Sequence, residues 1–176
     1  MTQTKCRKGN FMDWYVLFVN TGKEDLVQEW LRIHFNESVL VSVIPRRKIM
    51  ERNGGSIKHV LKKMFPGYIF ICTNMNIETY YKLKSIPGII RILKTGDYYT
   101  RIVDDEMFYI LKLLDNDGVV DYSKIYIHNS KIIVKSGPLK GMEGLMVEVD
   151  KRKNRVKIIL NFMGVPKKID LGIEVI

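Results

Sequence analysis

Apolar and polar positions along this chain change period several times. Trp14 to Asn20 (WYVLFVN) is almost wholly apolar, aromatic and β-branched, the pattern of a buried strand. Thr21-Gly22-Lys23-Glu24 then offers a capping box, followed by Leu26, Val27, Trp30 and Leu31 at helical spacing. This spacing predicts a helix from about 22 to 35. Val39 to Ile44 reads as another strand, ended by Pro45. Asn53-Gly54-Gly55 marks a hairpin turn, so a basic β-hairpin is predicted between Pro45 and Met64.

Phe65-Pro66-Gly67 makes a turn into a further buried strand, Tyr68 to Cys72. Asn76 can cap a short helix through Tyr80, Tyr81 and Leu83, which Pro87-Gly88 breaks. Ile89 to Leu93 returns as a strand. Asp104-Asp105-Glu106 opens a helix whose apolar face uses Phe108, Leu111 and Leu114, with acids where the helix dipole favours them. The apolar rhythm weakens after Asp115. From Ser130 onward, short β-branched runs alternate with turns, at the spacing of a small β-barrel. The expected organisation is a leader at 1–12 read as disordered, an α+β domain at 13–115, a linker at 116–129 and a barrel at 130–176.

Charge changes the picture. The formal net charge is +10, which favours a polyanionic partner. Residues 130–176 hold ten Lys and Arg against five Asp and Glu, and Lys151-Arg152-Lys153-Asn154-Arg155 sits where a turn is expected. The leader lacks the apolar core of a secretory signal, and apolar runs are strand-sized, so no membrane span is expected.

No active-site constellation is legible. His34, His59 and His128 are scattered, and neither they nor Cys6 and Cys72 have metal spacing. No disulfide framework can be read from two cysteines so far apart, and Cys72 reads as a small core residue. The glycines at 137–144 do not follow a strand and open a helix, as a phosphate loop would. The expectation is a protein without catalysis, cofactor or metal.

Several fragments together carry a resemblance. Trp14-Tyr15-Val16, Thr21-Gly22-Lys23-Glu24, Phe65-Pro66-Gly67-Tyr68 and Ser85-Ile86-Pro87-Gly88 resemble the NGN domain of the NusG family. Val134, Gly137-Pro138-Leu139-Lys140-Gly141, Gly144, Val149-Asp150 and Asn161-Phe162-Met163-Gly164 resemble its KOW domain. The resemblance covers about 14 to 176. It implies a mostly antiparallel NGN sheet with flanking helices, then a small KOW β-barrel. It also implies a cytoplasmic, monomeric transcription elongation factor that binds RNA polymerase.

On that resemblance Trp14, Tyr15, Phe65, Pro66 and Tyr68 match the surface that accepts the polymerase β′ clamp helices. Arg46, Arg47, Lys48, Lys62 and Lys63 are candidates for contact with non-template DNA. Phe162 matches an exposed aromatic loop through which general NusG proteins engage Rho or a ribosomal protein. The basic barrel and the 45–67 segment look most like the LoaP type, antiterminators that recognise a hairpin in nascent leader RNA. The candidate RNA-binding residues are Lys131, Lys135, Lys140, Lys151, Arg152, Lys153, Asn154, Arg155, Lys157, Lys167 and Lys168. Two alternatives remain: a general NusG-type adaptor, and a ribosome-associated RNA-binding protein, since KOW barrels also occur in ribosomal proteins.

Overall fold

The computed structural model describes residues 12–95, 98–129 and 131–176. The expected disordered leader lies outside them, save for Met12. In chain order the first elements are β1 (Asp13–Val19), α1 (Glu24–His34), β2 (Leu40–Val43), β3 (Arg46–Asn53), β4 (Ser56–Lys63), β5 (Tyr68–Thr73), α2 (Ile77–Lys84) and β6 (Ile89–Ile92). Then come β7 (Lys94–Thr95), β8 (Tyr98–Tyr99), α3 (Asp104–Leu113), β9 (Val119–Val120), β10 (Ser123–His128) and β11 (Lys131–Ser136). A 3₁₀ turn (Glu143–Leu145), β12 (Met146–Asp150), β13 (Arg155–Phe162) and β14 (Val165–Val175) complete the chain.

These elements form two compact units. The first comprises Met1–Ile44 and Phe65–Met107, the second Pro45–Met64 and Phe108–Ile176. In the first, an antiparallel sheet runs in the order β2-β5-β1-β6. Strand alternation divides its residues between two faces. Leu17, Val19, Ile69, Ile71 and Ile92 form a core with Val27 and Leu31 of α1 and Leu83 of α2. Of the four apolar residues expected along α1, only Val27 and Leu31 point inward; Leu26 and Trp30 are exposed.

The second unit holds the predicted hairpin. β3 and β4 pair from Arg46↔Lys63 to Asn53↔Ser56, and Gly54 and Gly55 both take positive φ at the turn. The hairpin therefore groups with the C-terminal half and not with the N-terminal sheet. A five-stranded sheet, β11-β10-β14-β13-β12, curls into a half-barrel, with the 3₁₀ turn packed on β11 and β13. Its core includes Ile125, Val134, Leu139, Val156, Ile158, Leu171 and Ile173.

Several expectations are corrected here. Segment 116–129 was expected to be a linker, but β9 pairs parallel to β3 and β10 pairs with β11 and β14. Val120 and Ile125 are buried, which is why this stretch is ordered structure. Phe108 is exposed, and α3 turns Met107, Ile110 and Leu111 inward. Cys72 is fully buried, as a core residue should be, and is disulfide-bonded, which its spacing did not foretell.

Candidate functional site

Three of the N-terminal motifs meet at one corner of the first unit. Glu24 is completely buried. Its Oε2 accepts the Gly22 N–H at 2.8 Å and its Oε1 accepts the Gly67 N–H at 2.7 Å. The expected capping box is therefore replaced. Lys23 is the N-cap and makes no side-chain cap bond, while Glu24 reaches across to the Phe65-Pro66-Gly67-Tyr68 turn. Gly67 has φ +83°, and its carbonyl accepts the Val19 N–H at 2.9 Å. Asn20 N–H donates to the Gly88 carbonyl at 3.2 Å, and a Cβ on Gly88 would stand 2.8 Å from Val27 Cγ2.

The candidate polymerase-binding aromatics do not share one face. In the β1–β5 register Trp14 lies opposite Cys72, and Phe18 opposite Tyr68. Trp14, Phe18 and Tyr68 thus occupy one face, half-buried, with the Phe18 and Tyr68 rings 5.4 Å apart. Arg91 lies 5.4 Å above the Phe18 ring. Tyr15 lies on the opposite face and packs against the helix-side core. Burial pushes its phenol up, reinforced by Asp13 and opposed by Arg101. Phe65 is buried against Phe70, with ring centroids 5.3 Å apart, and Pro66 is exposed.

In the second unit the fold joins two basic stretches that are a hundred residues apart. The β12–β13 turn lies against the outer part of β3. Arg155 Nη2 donates to the Met50 carbonyl at 3.2 Å, and Asn154 Nδ2 stands 4.0 Å from Met50 Sδ. Gly172 makes the approach possible, because a Cβ there would meet the Lys48 carbonyl at 2.5 Å and Tyr122 Cε1 at 2.4 Å. Lys48 pairs with Asp121 at 3.1 Å, and His59 Nδ1 lies 2.8 Å from the Tyr122 hydroxyl. Together these contacts cover the edge of β3 beyond β9.

Between the hairpin end and the turn lies a cleft of about 450 Å³. Met50, Glu51, Arg52, Asn53 and Ile57 line one side, and Arg152 to Arg155 the other. Four cations thus face one carboxylate. Sequence reasoning missed Arg52, Asn53 and Ile57. The Asn53-Gly54-Gly55 turn located the hairpin end, but nothing in the sequence paired it with residues 151–155.

The other candidates are divided. Lys153 pairs with Asp150 at 3.7 Å and Lys157 with Glu148 at 2.6 Å. Lys151 and Arg152 are exposed at the turn. Lys167 and Lys168 lie opposite Leu160 and Ile159, near the far end of β13, about 20 Å from that turn at strand rise. Lys131 and Lys140 are exposed, and Lys135 stands 5.8 Å from the Tyr126 ring. Phe162 is only 4% exposed, so its loop does not present an aromatic anchor.

Of the DNA candidates, Lys62 is paired with Glu51. Arg47 is partly buried beside Asp170 and Arg155. Burial lowers its pKa, Asp170 opposes that change and Arg155 adds to it. Among the described residues no acid, histidine and cysteine cluster could hold a metal ion. None of their helices is long and apolar enough to cross a membrane.

An α+β sheet unit combined with a curled β-sheet unit bearing a basic turn defines a two-part, polyanion-compatible protein. A family model described as transcription termination factor nusG matches residues 12–111, and the chain belongs to the NusG family. It is 28% identical to a transcription termination/antitermination protein NusG of Rickettsia felis, over 93% of this chain and 88% of that protein. The Pasteurella multocida protein of that description is 28% identical, over 97% and 95% of the two chains. A solved structure of Thermotoga maritima NusG, 22% identical, shares the fold with a TM-score of 0.60, covering 92% of this chain and 93% of that one. The chain is a NusG-type transcription termination/antitermination factor.

Proposed function

We propose that this chain is a processive antiterminator of the LoaP type, acting in the cytoplasm as a monomer and without catalysis. The first unit docks on the polymerase β′ clamp helices through the face bearing Trp14 and Tyr68. Preferential binding to the closed clamp opposes the opening that accompanies termination. The second unit holds a hairpin in the nascent leader RNA, and basic residues of β3 and β4 approach non-template DNA. The observation that carries the reading is a cleft lined by Arg52, Arg152, Lys153 and Arg155 with Glu51 as its one acid, next to the exposed Lys151. Phosphate contacts favour such a surface.

The test is binding of the full chain to leader-hairpin RNAs across a salt series. The double variant K151E/R152E is expected to lose roughly a hundredfold in affinity at physiological salt. Arg155 is left in place because it holds the Met50 carbonyl. Unchanged affinity overturns the RNA reading.

A general NusG-type adaptor, whose second unit binds Rho or a ribosomal protein, is the second reading. Its support is the near full-length similarity to proteins described as NusG. Burial of Phe162 weighs against it, because the matching loop then lacks its anchor.

A further inference from the structure

The lining of the cleft in the second unit is not what a surface built only for phosphates requires. Ile57 of β4, opposite Arg52, is 55% exposed and lines the cleft together with Met50, so the cleft has an apolar wall open to solvent. Asn53 and Asn154 line it, one from each side. Asn154 is held in the left-handed region at φ 51°, and its carbonyl accepts the Ile173 N–H at 3.0 Å, so its position is fixed by backbone. Among the described residues its amide nitrogen meets only the Met50 sulfur, at 4.0 Å, a weak contact. The Arg155 guanidinium is pinned by the Met50 carbonyl and by Asp170 at 3.9 Å. Arg52 and Arg152 also line the cleft and are exposed.

We infer that this cleft captures one unpaired RNA base, from a loop or bulge, and that recognition of the hairpin depends on it. The inference rests on the RNA-binding reading above and names the part of the RNA that is read. An apolar wall with planar guanidinium groups suits a base face, and two amides suit a base edge. Paired bases cannot enter such a cleft, because their edges are engaged and their faces stacked. RNA sequence is read mainly on unstacked, single-stranded bases for this reason. The volume of about 450 Å³ lies within the range of small-molecule sites.

Selection by the full chain from a stem-loop library with a randomised loop tests this, beside a fully paired duplex of the same stem. The selected RNAs are expected to share an unpaired nucleotide and to bind about tenfold or more tightly than the duplex. Substituting 2-aminopurine at that nucleotide should give a fluorescence change that saturates with binding. I57S and N154A should each lower stem-loop affinity roughly tenfold, and I57S should leave duplex affinity unchanged. I57S lies at an exposed position, so folding is retained and is checked by its melting curve. Equal binding of stem-loop and duplex, with both variants silent, overturns the base-capture inference and leaves the RNA-binding reading standing. No binding to either RNA at physiological salt overturns both.

Discussion

The Glu24 carboxylate accepts the Gly67 backbone N–H at 2.7 Å, inside the first unit and across 43 positions of sequence. A helix start and a strand start are thereby held by one buried side chain. E24A is expected to leave the Gly22 and Gly67 amides without their acceptor and to cost about 3 kcal/mol in denaturant unfolding. E24Q keeps only one acceptor oxygen and should fall between parent and E24A. Equal stability of all three would show that water replaces the carboxylate.

Gly172 is kept small by its neighbours and not by its backbone angle. G172A is expected to displace Tyr122 and the Lys48 carbonyl and to cost about 2 kcal/mol. Amide exchange in β3 and β4 should speed up with it. G164A faces open space, and its φ of +76° should limit the cost to about 1 kcal/mol with no change in hairpin exchange.

Trp14 and Tyr15 are adjacent in sequence and occupy opposite faces of the sheet. W14A and Y68A should lower polymerase affinity by roughly tenfold or more in a pull-down series and leave melting nearly unchanged. Y15A should instead cost about 2 kcal/mol of stability, because its ring packs on the core. The reverse pattern would place the docking face on the helix side.

The Lys48–Asp121 pair is expected to make hairpin attachment pH-dependent. Burial pushes the Asp121 carboxyl up, but the Tyr122 N–H and Lys48 outweigh it, and the net pKa lies below the ordinary carboxylate value. A lowered folded pKa stabilises at pH above the ordinary carboxylate range, and the contribution is lost as pH falls through the folded pKa. Hairpin amide protection should therefore drop in acid in the parent protein. D121N should lack this component of the acid dependence.

Much of the fold is legible in local patterns. Asn53-Gly54-Gly55 gave the hairpin because a two-residue turn with positive φ needs such residues. The nearly unbroken apolar, β-branched run from Trp14 to Asn20 gave β1 because such side chains suit a strand covered on both faces, as burial of Val16, Leu17 and Val19 shows. The motif Thr21-Gly22-Lys23-Glu24 was read as a local cap, yet Glu24 serves a residue far along the chain. Long-range partners leave no trace in a local period. The same limit hid the cleft, whose two sides are a hundred residues apart. Segment 116–129 looked like a linker because β9 spans two residues, too few to show alternation.

The cover over β3 also sets an order of assembly. Arg155 and Gly172 meet the hairpin about a hundred residues after it has been made. At bacterial or eukaryotic elongation rates that interval is about 5–20 s. The hairpin edge around Lys48 and Met50 leaves the ribosome long before its cover exists, whereas the first unit needs nothing beyond Met107. Vectorial synthesis thus completes the first unit early and the second only with the last strand.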